Sequence, residues 1–299
     1  MTHFSASELI LNSKQRVYHL DLSAEHIADD VILVGDPGRV NKISRHFSQL
    51  EFSTAHREFI THTGIYKGKR LSVISTGIGT DNIDIVMNEL DAAVNIDLKS
   101  RKELQHKRQL RIYRLGTSGA LQENIPVNSL VASAYGLGLD GLLHFYDSIE
   151  QINHPALCKA FENHASWPTA LPAVYAIPAS EKLLEKFKPA VFCTGITATA
   201  PGFYAPQGRE LRLNARMKNI QGLLSAFQFK DLKITNFEME TSALYGLGKL
   251  LGHECLTVCV IIANRMRNEF TKDLEGSETI LIDTFLQQLS QLHDQTRTH

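Results

Sequence analysis

The chain has 299 residues, 43% of them apolar, which is enough to bury a substantial interior. Its 31 Lys and Arg against 32 Asp and Glu leave a formal net charge of −1, so no global field draws nucleic acid or an anionic membrane, and any anion site must be local. No apolar run approaches the about eighteen residues of a membrane span, and the amino terminus lacks the basic, apolar, small-residue succession of a signal peptide, so a cytoplasmic location is expected.

Residues 1 to 30 are mixed and polar and contain His19, a residue type that packs or stays at the surface with equal ease. The first strong strand, Val31-Ile32-Leu33-Val34, runs into Gly35-Asp36-Pro37-Gly38-Arg39. Glycines expose backbone N–H groups there, proline stiffens a turn, and Arg39 adds a planar cation. These residues suit either a small anion cradle or a plain strand-ending turn; neither the Walker nor the Rossmann glycine pattern is present. After Ala55-His56-Arg57-Glu58-Phe59, a hairpin around Tyr66-Lys67-Gly68-Lys69 leads into the strand Leu71–Ser75, which empties into Thr76-Gly77-Ile78-Gly79. Asp81 or Asn82 could cap the following helix, so two strand ends with glycine turns point to one edge.

The charged stretch from Asp97 to Gln109 lacks aromatic residues and reads as a surface insertion rather than a nucleic-acid patch. Arg111–Leu115 reads as a third strand ending in a turn, Gly116-Thr117-Ser118-Gly119-Ala120, with donors suited to a phosphate. A strand at Ser129–Ala134 follows. Residues 151 to 188 read as helix and loop, with Trp167 a packing residue. Val191–Thr197 is another buried strand, and the loop after it holds Phe203, Gln207 and Arg209, able to stack on a flat heterocycle and bond its edge. Glu238-Met239-Glu240 closes a strand just before a helix. The two carboxylates either favour the helix's positive end or face a pocket and accept from hydroxyls. A strand at Leu256–Ala263 and a helix from about Ser277 to Leu292 complete the chain, with Leu281, Phe285, Leu286, Leu289 and Leu292 on one face. The cysteines, Cys158, Cys193, Cys255 and Cys259, show no CxxC spacing and read as small hydrophobes rather than ligands or a disulfide. No linker or repeat divides the chain, so one domain over residues 1–299 is expected.

Taken in order, Gly35-Asp36-Pro37-x-Arg39, His56-Arg57-Glu58-Phe59, Ser75-Thr76-Gly77-Ile78-Gly79, Arg114-x-Gly116-Thr117-x-Gly119 and Glu238-Met239-Glu240 resemble the nucleoside phosphorylase-I family, and within it the uridine phosphorylases. The resemblance spans His19 to Asn264. It implies an α/β fold, a three-layer αβα sandwich whose central mixed β-sheet curls into a distorted barrel. The reaction implied is reversible phosphorolysis of a nucleoside to free base and ribose 1-phosphate. By motif, the resemblance assigns phosphate to Gly35, Arg39, Arg114 and Thr117, with Arg57 from a neighbouring subunit. It assigns ribose to Glu238, Met239 and Glu240, with His19 of the neighbour at the 5′ end. It gives the base to Gly119, Phe203, Gln207, Arg209 and Ile262. Arg209, Arg114 and Arg39 are then the catalytic cations, with Arg209 stabilising the leaving base.

The resemblance also implies a homo-oligomer, a dimer at least and a hexamer in bacterial relatives. No metal or cofactor is required beyond phosphate as substrate, although some relatives hold a monovalent cation near positions matching Glu58 and Ser75. Purine-specific relatives carry an Asp after the last strand where this chain reads Ile262-Ala263-Asn264-Arg265, which favours a pyrimidine. Departures from the family lie in the longer charged segment at residues 97–109, in Ala205-Pro206 within the base loop, and in the small Ala263 on the base wall. The alternatives are a purine nucleoside phosphorylase, a nucleosidase, or a nucleoside-binding protein without activity.

Overall fold

Five consecutive buried residues, Asp30–Val34, form β1, as an apolar run covered on both faces should. The computed structural model describes residues 3–187 and 191–295. Its contacts divide between two units, Met1–Tyr113 with Leu247–Glu254, and Arg114–Gly246 with Cys255–His299.

In the first unit, β1 is followed by α1 (Pro37–Ser44), the antiparallel strands β2 (Gln49–His56), β3 (Phe59–Tyr66) and β4 (Lys69–Ser75), and then α2 (Thr80–Asn95). The strand β4 returns to lie parallel to β1, with Val34 opposite Ser75, so both strands end at one edge, as expected. The expected hairpin at Lys67-Gly68 is present, with both residues at positive φ. Gly35-Asp36-Pro37 is a helix start rather than a plain turn. Asp36 accepts from the Gly38 N–H at 2.9 Å as N-cap, and Pro37 takes a first-turn position where its missing N–H costs nothing. The second helix also starts earlier than its polar residues suggest: Gly79, at φ 103°, is the cap, and Asp81 and Asn82 lie inside α2.

The charged insertion is a short hairpin, β5 (Ile96–Asp97) with β6 (Lys102–Glu103), and it is tied down rather than merely solvated. Arg101 donates to the Leu9 carbonyl, its own carbonyl accepts from Phe4 N–H, and His3 bridges to Lys102. Arg108 reaches the Ile27 carbonyl at 2.7 Å and Asp29 at 2.7 Å. The basic residues thus bind loose backbone carbonyls of the amino-terminal segment.

The strand β7 (Arg111–Ala120) begins in the first unit and continues into the second, which holds β8 (Leu130–Gly138), α3 (Ile149–Ile152), α4 (Pro155–Ala165), β9 (Tyr175–Pro178) and α5 (Glu181–Lys186). Then come β10 (Phe192–Thr199), α6 (Ile220–Ala226), β11 (Gln228–Phe229), β12 (Leu232–Glu238), α7 (Thr241–Leu250), β13 (Glu254–Asn264), β14 (Glu269–Phe270) and α8 (Leu274–Gln295). Strands β12, β10 and β8 run parallel; β8 pairs antiparallel with β13, β13 neighbours β7, and β7 pairs back onto β12 through Asn236 opposite Ala120. That closes a five-stranded mixed barrel in the central sheet, with helices around it, as the resemblance implied. The expected glycine turn at residues 116–119 is instead the second half of β7. Glycine is required at 116 because a Cβ there would press on the Arg114 guanidinium and the Cys259 thiol.

Residues 151 to 187 hold a strand, β9, where the sequence pattern suggests helix and loop alone; residue 188 lies outside the described residues. Trp167 does pack, against Phe161, with its N–H on the Pro172 carbonyl at 2.8 Å. Leu281, Phe285, Leu286 and Leu289 of α8 are buried as expected, whereas Leu292 lies outside the residues whose side chains are described. None of the four cysteines is in a disulfide. No helix among the described residues is long and apolar enough to cross a membrane.

Candidate active site

The parallel strands β8, β10 and β12 deliver their last residues to one end of the barrel, and β12 delivers Glu238 there. Both of its oxygens are held within the chain: Thr199 Oγ1 donates to Oε1 at 2.7 Å, and the backbone N–H groups of Glu240 and Thr241 donate to Oε2 at 2.9 and 3.0 Å. The carboxylate therefore sits on the exposed amides of α7's first turn, where the helix end favours negative charge. Glu240, two residues on, pairs with Arg114 Nη2, while Arg114 Nη1 lies 3.3 Å from Glu238. Each of the three is at least 95% buried. Burial works against the Arg114 charge, but Glu240 and Glu238 outweigh it and hold the guanidinium protonated well above its ordinary range. Burial pushes the neighbouring Cys259 thiol up to about 12, so it stays an uncharged neighbour of Arg114 despite the cation beside it. Met239 is half-buried between the two acids, and Thr117 and Gly119 are half-buried on β7.

The base residues come from the loop after β10. Arg209 lies 3.6 Å over the Phe203 ring and donates to the Phe203 carbonyl at 2.6 Å and to Gln207 Oε1 at 2.8 Å. A residue missed in the sequence completes the group: Arg265, just past β13, donates to the Gln207 carbonyl at 2.9 Å and to its Oε1 at 3.0 Å. The Gln207 amide oxygen therefore accepts from two guanidinium groups, which fixes which end of the amide is the donor. Burial and the charge of Arg209 pull the Arg265 pKa down to about 10, and burial lowers that of Arg209. Ile262 is half-buried on β13. Asn264, at the end of β13, is fully occupied by backbone: its Nδ2 donates to the Gln122 and Ile125 carbonyls, and its Oδ1 accepts from the Met266 and Arg267 N–H groups.

In the first unit, Gly35 stands between β1 and α1, close enough to the Gly77 carbonyl that a Cβ would meet it at 3.4 Å, and Arg39 is buried in the first turn of α1. Arg57 is exposed at the tip of the β2–β3 hairpin, at φ 55°, with its guanidinium 5.7 Å from the Tyr18 ring. Tyr18 also packs edge-on to His19 at 5.0 Å, and His56 Nδ1 donates to the His19 carbonyl at 2.9 Å. The two residues assigned to a neighbouring subunit thus lie in one patch. Where the resemblance implies a monovalent cation, Ser75 Oγ donates to the Glu58 carbonyl at 2.5 Å and accepts from Ile60 N–H at 2.7 Å. Among the described residues no three His, Cys, Asp or Glu side chains gather as metal ligands.

These features have counterparts of known kind. The profile of the Phosphorylase superfamily matches residues 29–291. The chain is a member of that superfamily. It is 32% identical over 261 residues to the uridine phosphorylase of Thermococcus kodakarensis, covering 85% of this chain and 80% of the relative. To the Haemophilus influenzae uridine phosphorylase it is 30% identical, covering 88% and 92%. The crystal structure of a Trypanosoma brucei nucleoside phosphorylase that shows uridine phosphorylase activity superposes with TM-score 0.85 at 27% identity, over 95% of this chain and 99% of that one.

Within this phosphorylase, eight of the residues named by motif are joined in three clusters: Arg114 with Glu238 and Glu240, Gln207 with Phe203 and Arg209, and His19 with Arg57 about Tyr18. The signal for Arg265 was its place immediately after a strand, at the carboxyl end where sheet ligands gather.

Proposed function

We propose that this phosphorylase cleaves uridine with inorganic phosphate, giving uracil and ribose 1-phosphate. The observation that carries the base assignment is the Gln207 amide held by Arg209 and Arg265: the two cations fix which end of the amide donates, and once Arg209 turns to the base O4 the amide offers uracil one donor and one acceptor side by side. Asn264 supports a pyrimidine, since a carboxamide is no acid for a purine ring nitrogen and its N–H donors are already given to the Gln122 and Ile125 carbonyls.

A phosphate oxygen bonds to C1′ as the C1′–N1 bond breaks, and the bonding pair leaves with the base. The sugar passes through an oxocarbenium-like state while negative charge grows on uracil, so fixed cations near the base accelerate the step. Arg209 supplies that charge at O4, and Gln207 pairs with the base edge between Phe203, Ile262 and Gly119. The phosphate roles fall to Gly35 and Arg39 in the first unit, to Arg114 and Thr117 in the second, and to Arg57 of a neighbouring copy. Glu240 and the Met239 backbone bind the ribose hydroxyls, and Glu238 holds Glu240 and Arg114 in place. The 2′-hydroxyl is preferred because its loss leaves a buried carboxylate short of a donor. His19 and Arg57, acting from a second copy, make a dimer the smallest complete unit, in the cytoplasm.

Ultraviolet assay of uridine, thymidine and inosine with and without phosphate tests this. Phosphate-dependent uracil release, faster than base release from inosine, is expected; cleavage without phosphate, or faster turnover of inosine, would overturn it.

A further inference from the structure

The carboxylate of Glu89, on α2, is spent on the segment that carries His19. Oε1 receives the His19 ring Nδ1 at 2.6 Å and the His19 backbone N–H at 3.0 Å, and Oε2 receives the His19 and Leu20 N–H groups at 2.9 Å each. Glu89 lies seventy residues away in sequence, so this is tertiary placement and not a local turn. Backbone N–H groups can only donate, which marks both oxygens as acceptors, and a ring nitrogen held against such an acceptor must carry the proton. The neutral imidazole is then the Nδ1–H tautomer, and its Nε2 keeps a lone pair. The ring is fenced by Tyr18 at 5.0 Å and Phe59 at 6.3 Å, and His56 ties down the His19 carbonyl, so the imidazole can neither flip nor swing without breaking these contacts. Nothing among the described residues hydrogen-bonds to Nε2; the His19 ring bonds through Nδ1 alone.

We propose that Glu89 is a positioning residue for nucleoside recognition: it fixes His19 as the Nδ1–H tautomer, so that Nε2 accepts the hydrogen of the nucleoside's 5′-hydroxyl. This rests on the assignment of His19 to the 5′ end. The tautomer sets what is recognised. A 5′-hydroxyl offers the donor that a bare nitrogen needs, whereas a hydrogen at the 5′ carbon offers none and a 5′-phosphate presents acceptors to a lone pair.

The test compares kcat/KM for uridine and 5′-deoxyuridine in the wild type, His19→Ala, Glu89→Gln and the double variant. Glu89→Gln keeps the volume and an acceptor for the backbone, but the new amide N–H faces Nδ1 and turns the ring to the other tautomer. Each single variant is expected to lower the uridine to 5′-deoxyuridine ratio about tenfold, the scale of one lost hydrogen bond, with no further loss in the double. A drop with His19→Ala but none with Glu89→Gln would overturn the role of Glu89 and leave that of His19 standing. No drop with His19→Ala would remove the 5′ assignment and the proposal with it. If Glu89→Gln does not fold, 15N spectra of histidine-labelled wild-type enzyme in mildly alkaline buffer, with His19 assigned by its absence in His19→Ala, decide the matter. A protonated Nδ1 and bare Nε2 are expected, and a protonated Nε2 would overturn the proposal.

Discussion

The carboxylate end of the barrel and the base loop belong to the same unit and are built in opposite ways. Arg114, Glu238 and Glu240 are 4%, 4% and 3% exposed, and their charged groups are met by ions, backbone amides or the Thr199 hydroxyl. In the base loop, Phe203 is 51% exposed and Tyr204 is 55%, while Arg209 leans on Phe203 and Gln207 with few other partners. Buried charges survive only when paired, so the sugar end is rigid by necessity. A half-open loop can change partners, and it must: the Gln207 oxygen already accepts from two arginines, so a base N3–H can bind only if Arg209 swings away, to the base O4 in the proposed complex. In the proposed complex the ribose hydroxyls meet a fixed frame, and the base a frame that rearranges.

That contrast predicts where substitutions harm folding and where they harm only chemistry. The largest effect is expected for Glu240→Ala, which leaves the buried Arg114 with Glu238 as its one remaining carboxylate and should cost about 3 kcal/mol of stability along with nearly all activity. Thermal unfolding beside a uracil-release assay would show both; a variant as stable as the wild type would mean that Glu238 alone satisfies Arg114. Arg209→Ala should behave differently, slowing uridine cleavage by about a hundredfold or more while leaving the melting temperature close to the wild type's. An unchanged rate would remove Arg209 from the site. Thr199→Val comes next. It deletes one donor to Glu238 while the two backbone amides stay, so kcat should fall about tenfold with KM little changed.

The same contrast separates what is legible in the sequence from what is not. Strands β1, β4 and β13 are legible because burial on both faces demands mainly apolar runs, and the site is legible where its chemistry is packed into short motifs such as Glu238-Met239-Glu240. The path of β7 through Gly116 and Gly119 is not, because a glycine that permits a turn and a glycine that admits a guanidinium look alike in a string. Asp36-Pro37 reads as a turn for a related reason: the residues that start a helix are also those that make turns. The four-residue β9 carries no periodic signal, and the hairpin of the charged insertion is held by carbonyls of residues about ninety positions away. Partners such as Glu89 for His19, or Arg265 for Gln207, are set by tertiary placement, which spacing alone does not encode.

The smallest effect is expected where two terms oppose each other, at Arg265. Removing its side chain deletes two charge-assisted hydrogen bonds to Gln207, each contributing about 1.5–3 kcal/mol to holding that amide. It also removes a like charge from beside Arg209, the second cause of Arg265's lowered pKa after burial itself. Arg209 retains its own bond to the amide oxygen and Gln221 its bond to the Gln207 carbonyl, so the amide loosens without being released. Arg265→Ala should therefore raise KM for uridine about three- to tenfold with kcat nearly unchanged, because orientation of the base is weakened in ground and transition states alike. A fall in kcat comparable to that of Arg209→Ala would instead mean that Arg265 itself meets the charge growing on uracil, and that the loop holds two leaving-group cations rather than one cation and its support.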